Sequence, residues 1–242
     1  MRENHFGEDV AARYDDPDDE MFQPAAIEPV VEFLAELAGD GAALELGIGT
    51  GRIALPLTGR GVPVHGIDLS EVMVARLRAK PGGERIEVAI GDFATTRVEG
   101  RFTVAYLVYN TINNLTTQDE QVACFENAAA HLVPGGCFVV EVGVPALQWL
   151  PPGERIRPFD VSPTHLGFDE YDVATQWMAS HHLHEIDGGW RELTMPFRYV
   201  WPSELDLMAR IAGMTLRDRW NDWDRSPFTA ASPSHVSVWQ KA

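Results

Sequence analysis

Residues 42–52, Ala-Ala-Leu-Glu-Leu-Gly-Ile-Gly-Thr-Gly-Arg, carry an apolar stretch through one acidic residue into three glycines at alternate positions. Ala42, Ala43, Leu44 and Leu46 have the short, continuous apolar character of a strand buried on both faces. Gly47 releases the chain from strand geometry. Gly49 and Gly51 lack a Cβ, so the backbone can turn tightly and approach a ligand before a helix starts near Arg52. The unpaired amides of that helix then face the ligand, which makes this a nucleotide-binding turn.

The chain continues as such a turn requires. Val62, Val64, Gly66, Ile67 and Asp68 form a second short strand ending in a carboxylate, whose two acceptor oxygens suit the two neighbouring hydroxyls of a ribose. A third strand over 86–90 ends in Gly91-Asp92-Phe93, a fourth over 102–108 ends in Tyr109-Asn110, and a fifth over 137–142 follows Pro134-Gly135-Gly136. Between them Ile27, Val30, Val31, Leu34 and Leu37 keep helical spacing, so a helix is expected over about 24–38, closed by Gly39 to Gly41. Pro56 should kink or shorten the helix after Gly51. Ser70 with Glu71 opens another, and a further helix is expected over 118–132. This alternation of strand and helix specifies a doubly wound parallel sheet.

The dinucleotide fingerprint is G-x-G-x-x-G, whereas these glycines run G-x-G-x-G with Glu45 two residues ahead. In that order the motif resembles the first motif of class I S-adenosylmethionine-dependent methyltransferases. Three further elements are similar to that family's: Gly91-Asp92-Phe93, the Leu-Val-Pro-Gly-Gly run before the fifth strand, and Ala-Ala-Arg-Tyr-Asp ending at Asp15. The resemblance implies a seven-stranded Rossmann-like sheet of order 3-2-1-4-5-7-6 with strand 7 antiparallel. It implies S-adenosylmethionine as methyl donor and S-adenosylhomocysteine as product. Tyr14, Glu45, Gly47, Gly49, Gly51, Asp68, Leu69, Met73, Gly91, Asp92, Phe93 and Tyr109 would form the cofactor site. Within it, Asp68 would take the ribose, Leu69 and Met73 would flank the adenine, and Asp92 would accept from the exocyclic amine. Tyr14 would reach the methionine end from a segment folded over the cofactor; the competing reading of that acidic N-terminal stretch is a disordered leader.

With 19 Lys and Arg against 36 Asp and Glu, the net charge of −17 repels phosphate backbones, and no basic patch offsets it. Nucleic-acid substrates are disfavoured, so a small-molecule acceptor is expected. No apolar stretch approaches the roughly 20 residues that cross a bilayer, and the N-terminus lacks a signal peptide's apolar core, so the expected location is the cytoplasm. Cys124 and Cys137 read as buried thiols. Oligomeric state is not legible in the chain.

After Val144 the prolines 145, 151, 152, 158 and 163 punctuate a long irregular connection. Residues 172–186 and 190–201 then read as two strands around Asp187-Gly188-Gly189, an inserted antiparallel hairpin. The chain is thereby divided into an N-terminal lid and helix (1–40), a cofactor-binding core (41–144), a substrate lid (145–202), and a closing helix with two strands (203–242).

Ligands of open α/β sheets bind outside the carboxyl ends of the strands, which directs the methyl group toward Tyr109, Asn110, Asn113 and the inserted lid. The lid carries Ser180-His181-His182-Leu183-His184. His181, His182 and His184 are candidate general bases, with His182 and His184 on one strand face and His181 on the other. The alternative is that they pack the lid or lie on its surface. His-His-x-His with Asp187 also offers metal donors, but adjacent strand residues diverge and the aspartate is explained by the turn, so no metal is assigned. Arg198 would grip a substrate anion or pair with an acid, and Trp177 and Tyr199 would line an aromatic substrate pocket with Trp149, Phe197 and Trp201, or pack the core.

The resulting expectation is methyl transfer to nitrogen or oxygen of a small molecule. Its rivals are a cofactor-binding interaction protein without turnover and a nicotinamide oxidoreductase, the latter opposed by the glycine spacing and Asp92.

Overall fold

The computed structural model describes residues 6–16, 19–186 and 188–242. Asp187, part of the expected turn, and the first five residues lie outside them. Parallel strands β1 (Ala43–Leu46), β2 (Val64–Asp68), β3 (Glu87–Ile90), β4 (Phe102–Leu107) and β5 (Leu132–Gly143) form the core of a seven-stranded sheet. The chain returns to this sheet as β10 (Met214–Trp220) and β11 (Ser234–Lys241), with β11 antiparallel to β5 and β10 antiparallel to β11. The strand order is β10-β11-β5-β4-β1-β2-β3, the order the family resemblance implied.

Every residue of β1 is buried, as its run of apolar residues requires of a central strand. Two apolar layers cover the sheet. One joins Leu44, Leu46, Phe125, Phe138 and Trp239; the other packs Val30 and Leu34 of helix α2 (Pro24–Ala38) with Leu57, Val104 and Val139. Cys124 and Cys137 are free thiols buried in these layers.

Local chemistry sets the helix ends. Gly39 turns the chain out of α2 with a φ of +54°. Pro56 accompanies a helix α3 that spans only Ala54–Gly59. Ser70 Oγ accepts from the Met73 amide to start α4 (Glu71–Ala79). Thr117 and Glu120 exchange side-chain and backbone bonds in a capping box that opens α5 (Gln118–His131). The N-terminal segment, read against a disordered leader, forms helix α1 (Glu8–Tyr14).

The insertion contains the expected antiparallel hairpin and extends it by two strands. It is a four-stranded antiparallel sheet of β6 (Ile156–Val161), β7 (His165–Asp172), β8 (Trp177–Ile186) and β9 (Gly189–Arg198), followed by α6 (Pro202–Ile211). The prolines concealed β6 and β7: Pro158 sits beside a register shift in the outermost strand, where a missing N–H costs no ladder bond. The strand expected from Asp172 is interrupted by a turn in which Gln176 takes a φ of +59°. Among the described residues no helix is long and apolar enough to cross a membrane.

Candidate functional site

The glycine turn lies at the carboxyl end of β1 with Gly47, Gly49 and Gly51 at φ of +75°, +54° and +79°, conformations that other residues adopt only with strain. A Cβ at residue 51 would meet Leu77 and Leu55, so packing demands glycine there. A Cβ at residue 49 would meet only Met73 Cε at 3.6 Å, which leaves that face of the turn approachable.

Asp68, at the end of β2, holds the turn from the side. Its Oδ2 accepts from the Gly49 amide at 2.6 Å and its Oδ1 from the Ser70 amide at 2.8 Å. Burial raises its pKa against backbone bonds from Ser70, Gly49 and Leu69. A carboxylate offers about four lone-pair sites. The capacity left beside its backbone bonds is open to a ribose hydroxyl.

Glu45 lies underneath, 3% exposed, with its Oε2 accepting from the Tyr106 hydroxyl at 2.9 Å. Burial pushes its carboxyl up to about 8, against the Tyr106 bond and the Arg52 charge. With a further bond from the Ala54 backbone, Glu45 ties the start of α3 to Tyr106 of β4. Met73 and Phe93 are likewise buried, Leu69 and Gly91 are half-buried, and Asp92 Oδ1 accepts from the Ala94 amide at 2.9 Å.

The N-terminal segment is strapped across this turn. Thr50 Oγ1 donates to Asp15 Oδ1 at 2.6 Å, Lys80 Nζ reaches the same oxygen at 2.9 Å, and Ser70 Oγ donates to the Phe6 carbonyl at 2.6 Å. Tyr14 is wedged edge-on between Phe6 and Phe22, and burial pushes its phenol up to about 12, so it stays protonated. The segment thus lies over the turn.

Beyond β4, Tyr109 and Asn110 both occupy the left-handed region, at φ of +55° and +60°. For a tyrosine that backbone costs roughly 1–3 kcal/mol. It is held by the Tyr109 amide donating to Glu141 Oε2 at 2.8 Å and by Asn110 Oδ1 accepting from the Gly143 amide at 2.7 Å. The Arg52 guanidinium sits 5.1 Å from the Tyr109 ring centre.

A cavity of about 570 Å³ opens between this corner and the inserted sheet. Tyr14 of α1 lines it with Tyr109, Asn110 and Asn113, and Asn113 is buried with an Oδ1 that has no hydrogen-bond partner among the described residues. Arg157 and Phe159 of β6, Asp169 and Tyr171 of β7, Met178 and Ser180 of β8, and Met195 and Phe197 of β9, with Tyr199, form the opposite wall. Alternation explains this set, because residues two apart share a sheet face. Burial raises the Asp169 carboxyl although Ser180 and Tyr171 bond to it, and Tyr171 donates to its Oδ2 at 3.3 Å.

Four residues expected at the substrate stand elsewhere. His182 and His184 share the cavity face of β8 but lie past Ser180, stacked with His165. Burial and the neighbouring histidines lower the pKa of both. His181 and Trp177 are on the opposite face, where His181 stacks on Phe168 and bonds Thr194. No base role at the cavity follows for the three histidines.

Arg198 also requires correction as a substrate anchor. It is 4% exposed, pairs with Glu204 Oε1 at 2.7 Å, and donates to Gln121 and Gln176 side chains at 2.5 and 3.0 Å. Burial alone would raise the Glu204 carboxyl, but bonds from Gln176, Arg198 and Gln118 outweigh it and hold it below the usual range. The guanidinium ties β9 to α5 and α6.

Asp169, Tyr171, Arg157 and Phe159 were missed in the sequence. The available signal was the alternation of Gly167, Asp169 and Tyr171 against Phe168, Glu170 and Asp172.

Comparison with known proteins bears on the whole arrangement. A family model described as a methyltransferase domain matches residues 43–136. The cypemycin N-terminal methyltransferase of a Streptomyces species is 28% identical over 209 residues, covering 82% of each chain. The solved structure of the CcbJ methyltransferase from Streptomyces caelestis is similar at 36% identity and a TM-score of 0.86, with both chains covered in full. CalS10, an S-adenosylmethionine-bound amino pentose methyltransferase from Micromonospora echinaspora, shares the fold at 22% identity and a TM-score of 0.69, again over both full chains. An identity of 36% over the full length of a methyltransferase, added to the strand order and the glycine turn, settles the family: the chain belongs to the class I S-adenosylmethionine-dependent methyltransferases and uses S-adenosylmethionine as methyl donor.

Proposed function

We propose that the chain methylates an amine nitrogen of a small molecule held in the cavity between the Tyr109–Asn110 corner and the inserted sheet. The observation that carries this reading is Asp169, a carboxylate on a wall otherwise rich in aromatic rings. Amines are protonated at neutral pH, and an ammonium has no lone pair for attack. A partly buried carboxylate first pairs with the ammonium and then accepts its proton, and the raised pKa of Asp169 suits it to the second task. Tyr14, Tyr109, Tyr171 and Phe197 line the same cavity, and aromatic rings attract cations.

The bound cofactor supplies a methyl group on a sulfonium, open to in-line displacement. The protein's share is alignment and exclusion of water. Asn110 and Asn113 offer polar groups to orient the acceptor, while the strapped α1 segment and the inserted sheet close opposite sides of the cavity. Arg157 lines the same wall, where its side chain bonds Tyr171 and its charge acts on Asp169, so an acceptor that also carries a polar group can share it. The names of two relatives, one for an N-terminus and one for an amino pentose, are consistent with nitrogen.

The test is the pH dependence of kcat/KM for wild type and Asp169→Asn with an accepted amine. Loss of a general base costs on the order of 10²–10⁴-fold. The variant should lose activity in that range, with the loss shrinking as pH approaches the pKa of the amine, where the acceptor arrives already deprotonated. An unchanged pH profile would reject Asp169 as proton acceptor.

A further inference from the structure

The cluster of His165, His182 and His184 is unused by the methyl-transfer site. His165 on β7 is the register partner of His184 on β8, and His182 is the diagonal neighbour on the same face. One ring nitrogen from each lies within 4.8 Å of the others. His165 Nε2 and His182 Nδ1 are 3.1 Å apart. Two ligands of a tetrahedral zinc at about 2.0–2.1 Å are separated by roughly 3.3 Å, so this pair already stands at ligand spacing.

The outer contacts fit as well. His165 Nδ1 is 2.9 Å from Asp160 Oδ2, the carboxylate–histidine pairing that fixes the tautomer and directs Nε2 to a metal. His182 Nε2 is 3.3 Å from Ser180 Oγ, which leaves Nδ1 as its ligand atom. The rings are stacked within 4° of parallel, with centroids 4.2 and 5.2 Å from that of His165. Their convergence on an ion requires side-chain rotation, for which the Cβ–Cγ torsion of histidine is broad. Arg13 of α1 is a cation whose charge acts on His184, and Asp160 is the carboxylate that offsets it.

We propose that His165, His182 and His184 form a three-histidine site for a divalent transition cation of the zinc, nickel or copper type, with water completing the coordination. The donor set is all imidazole, which selects these ions over magnesium and calcium. Bound there, the ion cross-links β7 to β8 and, through His182 and Ser180, stiffens one wall of the acceptor cavity. The three histidines border the cavity without lining it, so the role of the ion is structural.

The experiment uses untagged, chelator-stripped full-length protein. Calorimetric titration with Zn²⁺ should show one saturable site, and Co²⁺ should give visible ligand-field bands that Zn²⁺ displaces. His184→Ala should weaken Zn²⁺ binding by at least about tenfold, and Asp160→Asn by roughly 10- to 100-fold. Melting temperatures in EDTA check that the variants fold. Independently of any variant, Zn²⁺ should shift the imidazole NMR signals of His165, His182 and His184 but not those of His65. Zn²⁺ binding that is equally tight in His184→Ala, shifts confined to other histidines, or no saturable binding up to about 1 mM would overturn the proposal.

Discussion

Replacing Gly51 with alanine should destabilise the protein through two separable effects. The residue's φ of +79° is left-handed, which costs an alanine roughly 1–2 kcal/mol. The added Cβ would also lie 2.3 Å from Leu77 Cδ1 and 3.2 Å from Leu55 Cγ. Leu77 is fully buried on α4 and cannot swing into solvent, so overpacking adds about 1–3 kcal/mol. The sum is about 2–5 kcal/mol, or roughly 4–20 °C in Tm for a chain of this size. Gly49→Ala provides the contrast, because its Cβ would make only ordinary contact with Met73 and only backbone strain remains. Urea unfolding of Gly51→Ala, Leu77→Ala and the double variant completes a cycle. Shortening Leu77 should relieve part of the Gly51→Ala cost, so the double variant should be more stable than additivity predicts. Additive losses, or a Gly51→Ala cost no larger than that of Gly49→Ala, would refute the packing argument.

Two other outcomes follow from buried charge. Glu45 has a folded pKa of about 8 against an ordinary 4.5, so the native state binds more protons than the unfolded chain between those values. Its contribution to stability therefore falls as pH rises through that window, and Glu45→Gln should flatten the pH dependence of Tm between about pH 5 and 8 in cofactor-free protein. Arg198→Met removes the buried partner of Glu204 and should cost on the order of 3–5 kcal/mol in chemical denaturation, while leaving the KM for acceptor within a few-fold because the guanidinium does not line the cavity.

The cofactor half was legible because its signals are local. Strand, glycine turn and carboxylate follow one another within a few residues, and each answers a backbone requirement that few residue types satisfy. The strand order came from family resemblance and not from periodicity, which says nothing about which strands pair. The acceptor half was harder to read. Pro158 and Pro163 masked β6 and the start of β7, and with them the face that carries Asp169 and Tyr171. The histidine run drew attention because it is dense in titratable groups, yet its distance from the cavity depends on how far along β8 the wall extends. Arg198 looked available among aromatic residues, whereas its partners come from Gln121, Gln176 and Glu204, remote or on the next helix.

The most direct test of nitrogen methylation is mass spectrometry of products formed with methyl-labelled S-adenosylmethionine and matched acceptors that differ only in carrying an amine, a hydroxyl or a phenol. Label appearing on the amine, with the hydroxyl and phenol analogues unmodified, is the predicted result. Transfer to oxygen in preference to nitrogen would contradict the assignment of the Asp169 cavity to an amine.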